Sequence, residues 1–289
     1  MTSRSLTMSP SNARAAGGSD WLAIIVPPLV ILRWRVALRQ FLLRAISRQY
    51  RVTTLGFLWT VLVPFFTLAI YTFAFGVVMK TRWADAEATS SEPFALTLFA
   101  GILVYWLMAQ SLGEACGAVV QHTNLVKKTV FPLEIIPVTT VLAGLFQTGI
   151  NTLILLVAVA IFGSGVHATA LLFPIVLAPF VLMMMGLAWF LAALGVFFRD
   201  LSQVIGLVLT GALFLSPILY PLGQLSPVLQ QVVMFNPVSF IAVQARQVLL
   251  YGGMPDWAGL GIYALIAWIV AAAGLAFFTA VRKSFADVL

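Results

Sequence analysis

The chain has 289 residues, of which 62% are hydrophobic and only 9% charged, with a net charge of +7. Soluble domains carry about 25% charged residues, so a water-soluble fold is excluded and the chain reads as an all-α integral membrane protein with several spans. The basic excess belongs to Lys and Arg gathered on one side of a membrane, not to a nucleic-acid partner, because the sequence contains no DNA- or RNA-binding module.

Residues 1–20 are polar and rich in Ser, Ala and Gly, a composition that stays disordered. The apolar run WLAIIVPPLVIL (21–32) is too short to span and is broken by Pro27-Pro28. No A-x-A-like cleavage site follows it, so it reads as an interfacial segment in preference to a signal peptide. Residues 1–32 therefore form a variable extension, and 33–289 form one membrane domain.

RWRVALRQFLLRAISRQYR (33–51) reads as a basic amphipathic helix in the membrane surface plane, the core of an interface element ending at 54. Arg44, Arg48 and Arg51 fall on one face, and Leu38, Leu42 and Ile46 on a roughly opposite one. Arg35 and Arg39 interrupt the pattern. The plainer alternative is a basic flank beside the first span.

Six apolar runs long enough to span follow, near 56–79, 94–113, 135–162, 170–197, 203–221 and 258–281. With the N-terminus inside, 13 of the 16 Lys and Arg residues lie on the cytoplasmic side, leaving Lys80, Arg82 and Arg246 in outer segments. Both termini are thus expected in the cytoplasm. Between spans five and six, residues 220–257 are apolar yet cut by Pro221, Pro227, Pro237 and Pro255. Such pieces suggest re-entrant helices, tolerated where protein or a water-filled cavity covers the freed backbone. A pair of surface helices is the alternative.

The missing chemistry narrows the function. There is no G-x-x-x-x-G-K-[ST] phosphate loop, no H-E-x-x-H and no credible Ser/His/Asp set. A single cysteine, Cys116, and two histidines, His122 and His167, offer no metal-ligand spacing, and no metal site is expected. Cys116 reads as a small packing residue and the histidines as solvated loop residues. The middles of the six runs contain no Asp, Glu, Lys, Arg or His, which argues against proton-coupled transport and for energy supplied by another subunit.

Aromatic spacing offers a positive signal. Trp59, Phe66 and Phe73 recur every seven residues on one face of span one, with Phe57 and Phe75 nearly opposite. In span two, Phe99 and Trp106 are seven apart, with Tyr105 adjacent. Aromatic faces pack on sugar C–H surfaces as they stack on bases, so a conduit lined by them suits a long glycan. Helix packing or lipid contact would use the same residues. With Tyr71, the candidate channel residues are Trp59, Phe66, Tyr71, Phe73, Tyr105 and Trp106.

The order of segments is itself informative: a basic amphipathic helix, YRVTTLGFLWTVLVPFFTLAIYTFAFGVV, NLVKKTVFPLEIIPV after span two, FFRDLSQV after span four, and SPILYPLGQL with FNPVSF after span five. Together these resemble the membrane subunits of type 2 ABC exporters for cell-surface polysaccharides, nearest the O-antigen and teichoic-acid branch and further from capsule permeases. The N-terminal extension departs from that family's compact pattern.

The resemblance implies a bacterial inner-membrane permease that works as a homodimer with two copies of a separate ABC ATPase. That subunit would carry ATP and magnesium; this chain would hold no cofactor. The cargo would be a lipid-linked, O-antigen-like polysaccharide taken from the cytoplasmic side, with membrane lipids as the other partner. A capsular polysaccharide, a teichoic acid, or a drug or lipid is the alternative cargo. The resemblance further implies ATPase coupling through His122, Asn124, Leu125, Lys127 and Lys128, a cytoplasmic gate at Thr54, Leu55 and Gly56, and an outer gate broken at Asn236 and Pro237. A membrane transferase, drawing on Glu114, Glu134 or Asp200, is the non-transport alternative.

Overall fold

The structure, a computed structural model, describes residues 34–51, 55–78, 93–128 and 131–289. The extension 1–32, the 79–92 connection and Thr54 lie outside the described residues.

Among the described residues every regular element is helical. Helix α1 (Arg35–Arg51) is followed by a 3-10 turn at Gly56–Leu58, α2 (Trp59–Tyr71) and a π-helical stretch at Thr72–Val78. Then come α3 (Phe94–Ala118), the short α4 (Thr123–Lys128), α5 (Ile135–Phe162) and α6 (Phe173–Phe197). The chain continues through α7 (Leu201–Phe214), α8 (Pro227–Met234), α9 (Pro237–Leu249), α10 (Trp257–Val281) and α11 (Phe285–Val288).

Four of these, α3, α5, α6 with its 3-10 lead-in, and α10, are long and apolar enough to cross a membrane, which makes this a multi-pass membrane protein. The sequence boundaries for spans three and six agree with α5 and α10 to within a residue. Span five does not reach 221: α7 stops at Phe214 after 14 residues. Ser216 precedes Pro217, whose ring disfavours helical geometry in the residue before it. Fourteen residues rise about 21 Å, short of a hydrocarbon core of about 30 Å. The apolar stretch from Trp59 to Ala74 is likewise short of the full-length helices, and α8 and α9 meet at a bend of 97°.

Helix α3 is the hub, buried along most of its length. It packs against α5, α6 and α9, and less extensively against α2 and α7. Lipid offers no hydrophobic drive for helix association, so close van der Waals approach must supply it. Small residues permit that approach. A Cβ on Gly186 would sit 2.6 Å from the Ala271 Cα of α10, and one on Gly195 would sit 1.8 Å from the Cys116 carbonyl oxygen of α3. Cys116 is buried in this contact as a packing residue, its thiol donating to the Leu112 carbonyl at 3.3 Å.

Basic residues mark one end of the bundle. There, Arg282, just past α10, pairs with Glu134, the residue before α5. The Glu134 carbonyl also accepts from Nε1 of the fully buried Trp189, 2.8 Å away. Phe285 of α11 is buried against Phe197 and Phe278 and closes this end. Helix α1 lies along α5, with Leu38 buried, Leu42 and Ile46 half-buried, and Arg35, Arg39 and Arg44 exposed.

Candidate functional site

At the basic end, Leu55 and Gly56 lead into α2. Gly56 adopts φ 53°, in the left-handed region, and the turn is closed by Leu58 N–H donating to the Leu55 carbonyl at 3.1 Å. An L side chain there costs about 1–2 kcal/mol. Leu55 is exposed.

Beyond this turn, α2 has two distinct faces. Thr60, Pro64 and Leu68, spaced by four, are buried against the bundle. Trp59, Phe66 and Phe73 lie on the opposite side and are 40%, 53% and 61% exposed. These three share one outward face. Tyr71 does not join them; it packs on the core beside the buried stripe. Tyr105 and Trp106 are half-buried on α3. The Tyr105 hydroxyl donates to the Leu209 carbonyl of α7 at 3.2 Å, and Trp106 meets the fully buried Phe99 edge-on at 5.8 Å. The structure therefore gathers three of the six candidate aromatics on one surface. The side chains of Phe57 and Phe75 lie outside the described residues.

Pro64 has a local cost that explains part of this packing. Lacking an amide hydrogen, it cannot donate to the carbonyl four residues earlier. That carbonyl belongs to Thr60, and Gln147 Nε2 of α5 donates to it at 3.2 Å while also reaching Asn151 Oδ1 at 3.0 Å.

The basic end also holds a cavity of about 610 Å³. Its walls are Phe41 and Arg44 of α1, Glu114 at the end of α3, Gln121, His122, Leu125 of α4, and Thr139 and Thr140 of α5. Phe41 joins these walls: it lies 4.9 Å from Phe131 and 6.3 Å from the His122 ring, with the Arg44 guanidinium 5.8 Å above it. The expectation of solvated histidines is corrected here. His122 is half-buried, with Nδ1 2.8 Å from the Ala118 carbonyl, and the His167 ring is wedged against Gly252. Among the other coupling candidates, Asn124 is exposed and Leu125 half-buried. Lys127 and Lys128 belong to α4, and their side chains lie outside the described residues.

At the far end, Asn236 and Pro237 occupy the 97° bend between α8 and α9. Asn236 Oδ1 accepts from Val238 N–H at 3.2 Å as an N-cap, while its Nδ2 donates to the Ala212 carbonyl of α7 at 2.7 Å. Pro237 takes the first helical position, where its missing amide costs nothing, and its carbonyl accepts from the Tyr263 hydroxyl at 2.9 Å.

Arg246, counted from sequence among the outer-segment charges, lies at this far end and is not a solvated loop charge. It is 5% exposed, in the middle of the far-end packing, and hydrogen-bonded to backbone of α3 and of the chain after α7. A signal is present in the sequence: Val238, Ile241, Ala242, Ala245 and Leu249 repeat with helical spacing and are buried, and Arg246 falls on that same stripe.

Residues 36–250 match the family described as ABC-2 type transporter. The O-antigen export system permease protein RfbA of Myxococcus xanthus is 26% identical over 259 residues, covering 89% of this chain and 96% of that protein. The RfbA protein of Klebsiella pneumoniae is 24% identical over 246 residues, covering 83% of this chain and 90% of that protein. The polysialic acid transport protein KpsM of Escherichia coli is 21% identical over 246 residues, covering 84% and 93% respectively.

Proposed function

This chain belongs to the ABC-2 type transporter family, and on that footing we propose that it is the membrane permease of an ATP-driven exporter of lipid-linked, O-antigen-like polysaccharide. It is a transport component, and a separate ABC ATPase subunit hydrolyses the ATP. The observation that carries the reading is the aromatic face of α2: Trp59, Phe66 and Phe73 point away from their own bundle, in a chain similar nearly end to end to O-antigen permeases.

The proposed working unit is two copies of this chain and two ATPase subunits in a bacterial inner membrane. Two shorter crossings, α2 with its π-helical continuation to Val78 and α7 with the chain that follows it, join the four long helices to give six, and the charge count supports both termini in the cytoplasm. The aromatic faces of the two α2 helices flank a path between the copies, where ring faces let sugar surfaces slide without a fixed register. Tyr71, Tyr105 and Trp106 support that wall from behind, through their contacts with the core and α7.

At the basic end, α1 is the proposed interface helix and α4 the coupling helix, with His122, Asn124, Leu125, Lys127 and Lys128 facing the ATPase. Movement of α4 would reach the cavity wall through His122 and Phe41. Thr54, Leu55 and Gly56 form the proposed cytoplasmic mouth, and Asn236-Pro237 the break in the re-entrant outer gate.

The test is export in cells lacking the native permease. Trp59→Ala, Phe66→Ala and Phe73→Ala, singly and combined, should lower surface glycan at unchanged protein level. Full export by the triple variant would reject the aromatic path.

A further inference from the structure

Helix α7 ends at the edge of the far-end packing, with Phe214 and Leu215 exposed and Ser216, Pro217 and Ile218 buried, and its carbonyls beyond Gly211 lack i+4 helical donors. Backbone acceptors walled off from water must be satisfied by protein. Side chains do this almost residue by residue. Asn236 Nδ2 serves Ala212 O at 2.7 Å, Ser216 Oγ serves Leu213 O at 2.7 Å, and the Tyr220 hydroxyl serves Phe214 O at 2.9 Å. Beyond them, Arg246 Nη1 donates to Pro217 O at 2.6 Å and Nη2 to Ile218 O at 3.0 Å. The remaining direction of the guanidinium reaches another element: Nε donates to Thr97 O of α3 at 2.9 Å.

A planar fork with donors in three directions suits this task, and a lysine ammonium on a flexible stem does not reproduce it. The neighbouring helix leaves room for it. A Cβ on Gly101 of α3 would lie 2.7 Å from Arg246 Nη2 and 3.2 and 3.3 Å from Ile218 Cγ2 and Cγ1, so a methyl group there crowds the guanidinium and the Ile218 side chain beside it without removing the charge.

We propose that Arg246 is a positioning residue that locks the end of α7 and the bent α8–α9 pair onto the hub helix α3, so that these elements move as one plug that keeps the resting path closed to ions. The lock rests on the contacts above; the plug rests on the exporter reading. Asn236 makes the second tie between α9 and α7, so loss of Arg246 frees the stretch 216–221 and its hold on α3 while leaving the bend capped.

The experiment uses the full chain with its ATPase, reconstituted in lipid vesicles, as wild type, Arg246→Lys and Gly101→Ala. Hydrogen exchange is followed by mass spectrometry on peptides covering 212–221, α5 and α10, and leakage of a small anionic dye is followed without ATP. In both variants, exchange in 216–221 should accelerate by about tenfold or more, as expected for loss of charge-assisted hydrogen bonds, with α5 and α10 unchanged. Dye leakage should rise by a comparable factor. Exchange within about twofold of wild type in both variants overturns the lock. Faster exchange with wild-type leakage overturns the plug. Where Arg246→Lys also loses protection in α5 and α10, Gly101→Ala alone decides. A wild-type chain that binds no ATPase defeats the exporter reading, and the exchange measurement still judges the lock.

Discussion

Gln147 Nε2 of α5 donates to the Thr60 carbonyl of α2 at 3.2 Å, the acceptor that Pro64 leaves without its helical partner. A proline inside a membrane helix is tolerated where a neighbour re-satisfies the freed backbone. Here the neighbour also fixes which face of α2 turns inward: Thr60, Pro64 and Leu68 are held against the bundle, and Trp59, Phe66 and Phe73 turn out.

Removing that donor should be measurable. Gln147→Leu should destabilise the protein by about 0.5–1.5 kcal/mol, the usual net worth of one hydrogen bond, read as a lower Tm in detergent. In a Pro64→Ala background the restored backbone amide takes the Thr60 carbonyl, so the same substitution should cost less. Equal costs in both backgrounds would show that the two groups are uncoupled.

Gly56 holds φ 53° at the mouth of α2. Gly56→Leu should strain the turn by about 1–2 kcal/mol and place a bulky group beside Leu55. Surface glycan should fall while the amount of protein in the membrane stays at wild-type level. Unchanged export would make the stretch merely the start of a helix.

Glu134 is buried at 8% exposure and pairs with Arg282, which keeps a side-chain exposure of 38%. Arg282→Ala should destabilise by about 1–3 kcal/mol, less than for a fully buried pair because the arginine is partly solvated. Adding Glu134→Gln should recover part of the loss, since it removes the stranded charge. A double variant with a Tm below that of Arg282→Ala would contradict this.

The half-buried aromatics should behave differently from the exposed ones. Tyr105→Phe loses the hydrogen bond to Leu209 O and should lower Tm by the equivalent of about 0.5–1.5 kcal/mol. Phe66→Ala removes a side chain that is half exposed and should leave Tm near wild type while lowering export. The same ratio of export loss to Tm loss in both variants would erase the distinction between path and support.

Much of this arrangement is legible from hydropathy and periodicity. Apolar length locates α3, α5, α6 and α10 because each must carry apolar side chains over the full hydrocarbon thickness, whether these face lipid or, as on α3, the inside of the bundle. The seven-residue spacing of Trp59, Phe66 and Phe73 places them together because a helix repeats its face at that interval. Spacing alone does not say that this face turns outward; the Thr60–Gln147 hydrogen bond decides it, and that contact joins residues 87 apart in sequence. The end of α7 is misread from sequence because an apolar run continues past Ser216, while Pro217 stops the helix. The burial of Arg246 is half legible: its place on the apolar stripe of α9 is in the spacing, but its partners are backbone carbonyls that no side-chain pattern reveals.

Glycan export by this chain, driven by a partner ATPase, is directly measurable. The direct measurement is co-expression with an ABC ATPase encoded beside it, purification, and ATP turnover by the complex in lipid vesicles containing a lipid-linked polysaccharide. We predict a stable complex of two permeases and two ATPases, with turnover and glycan translocation that both fall when Trp59, Phe66 and Phe73 are replaced by alanine. A chain that purifies alone, or a complex that hydrolyses ATP without moving glycan, would contradict glycan export by this chain.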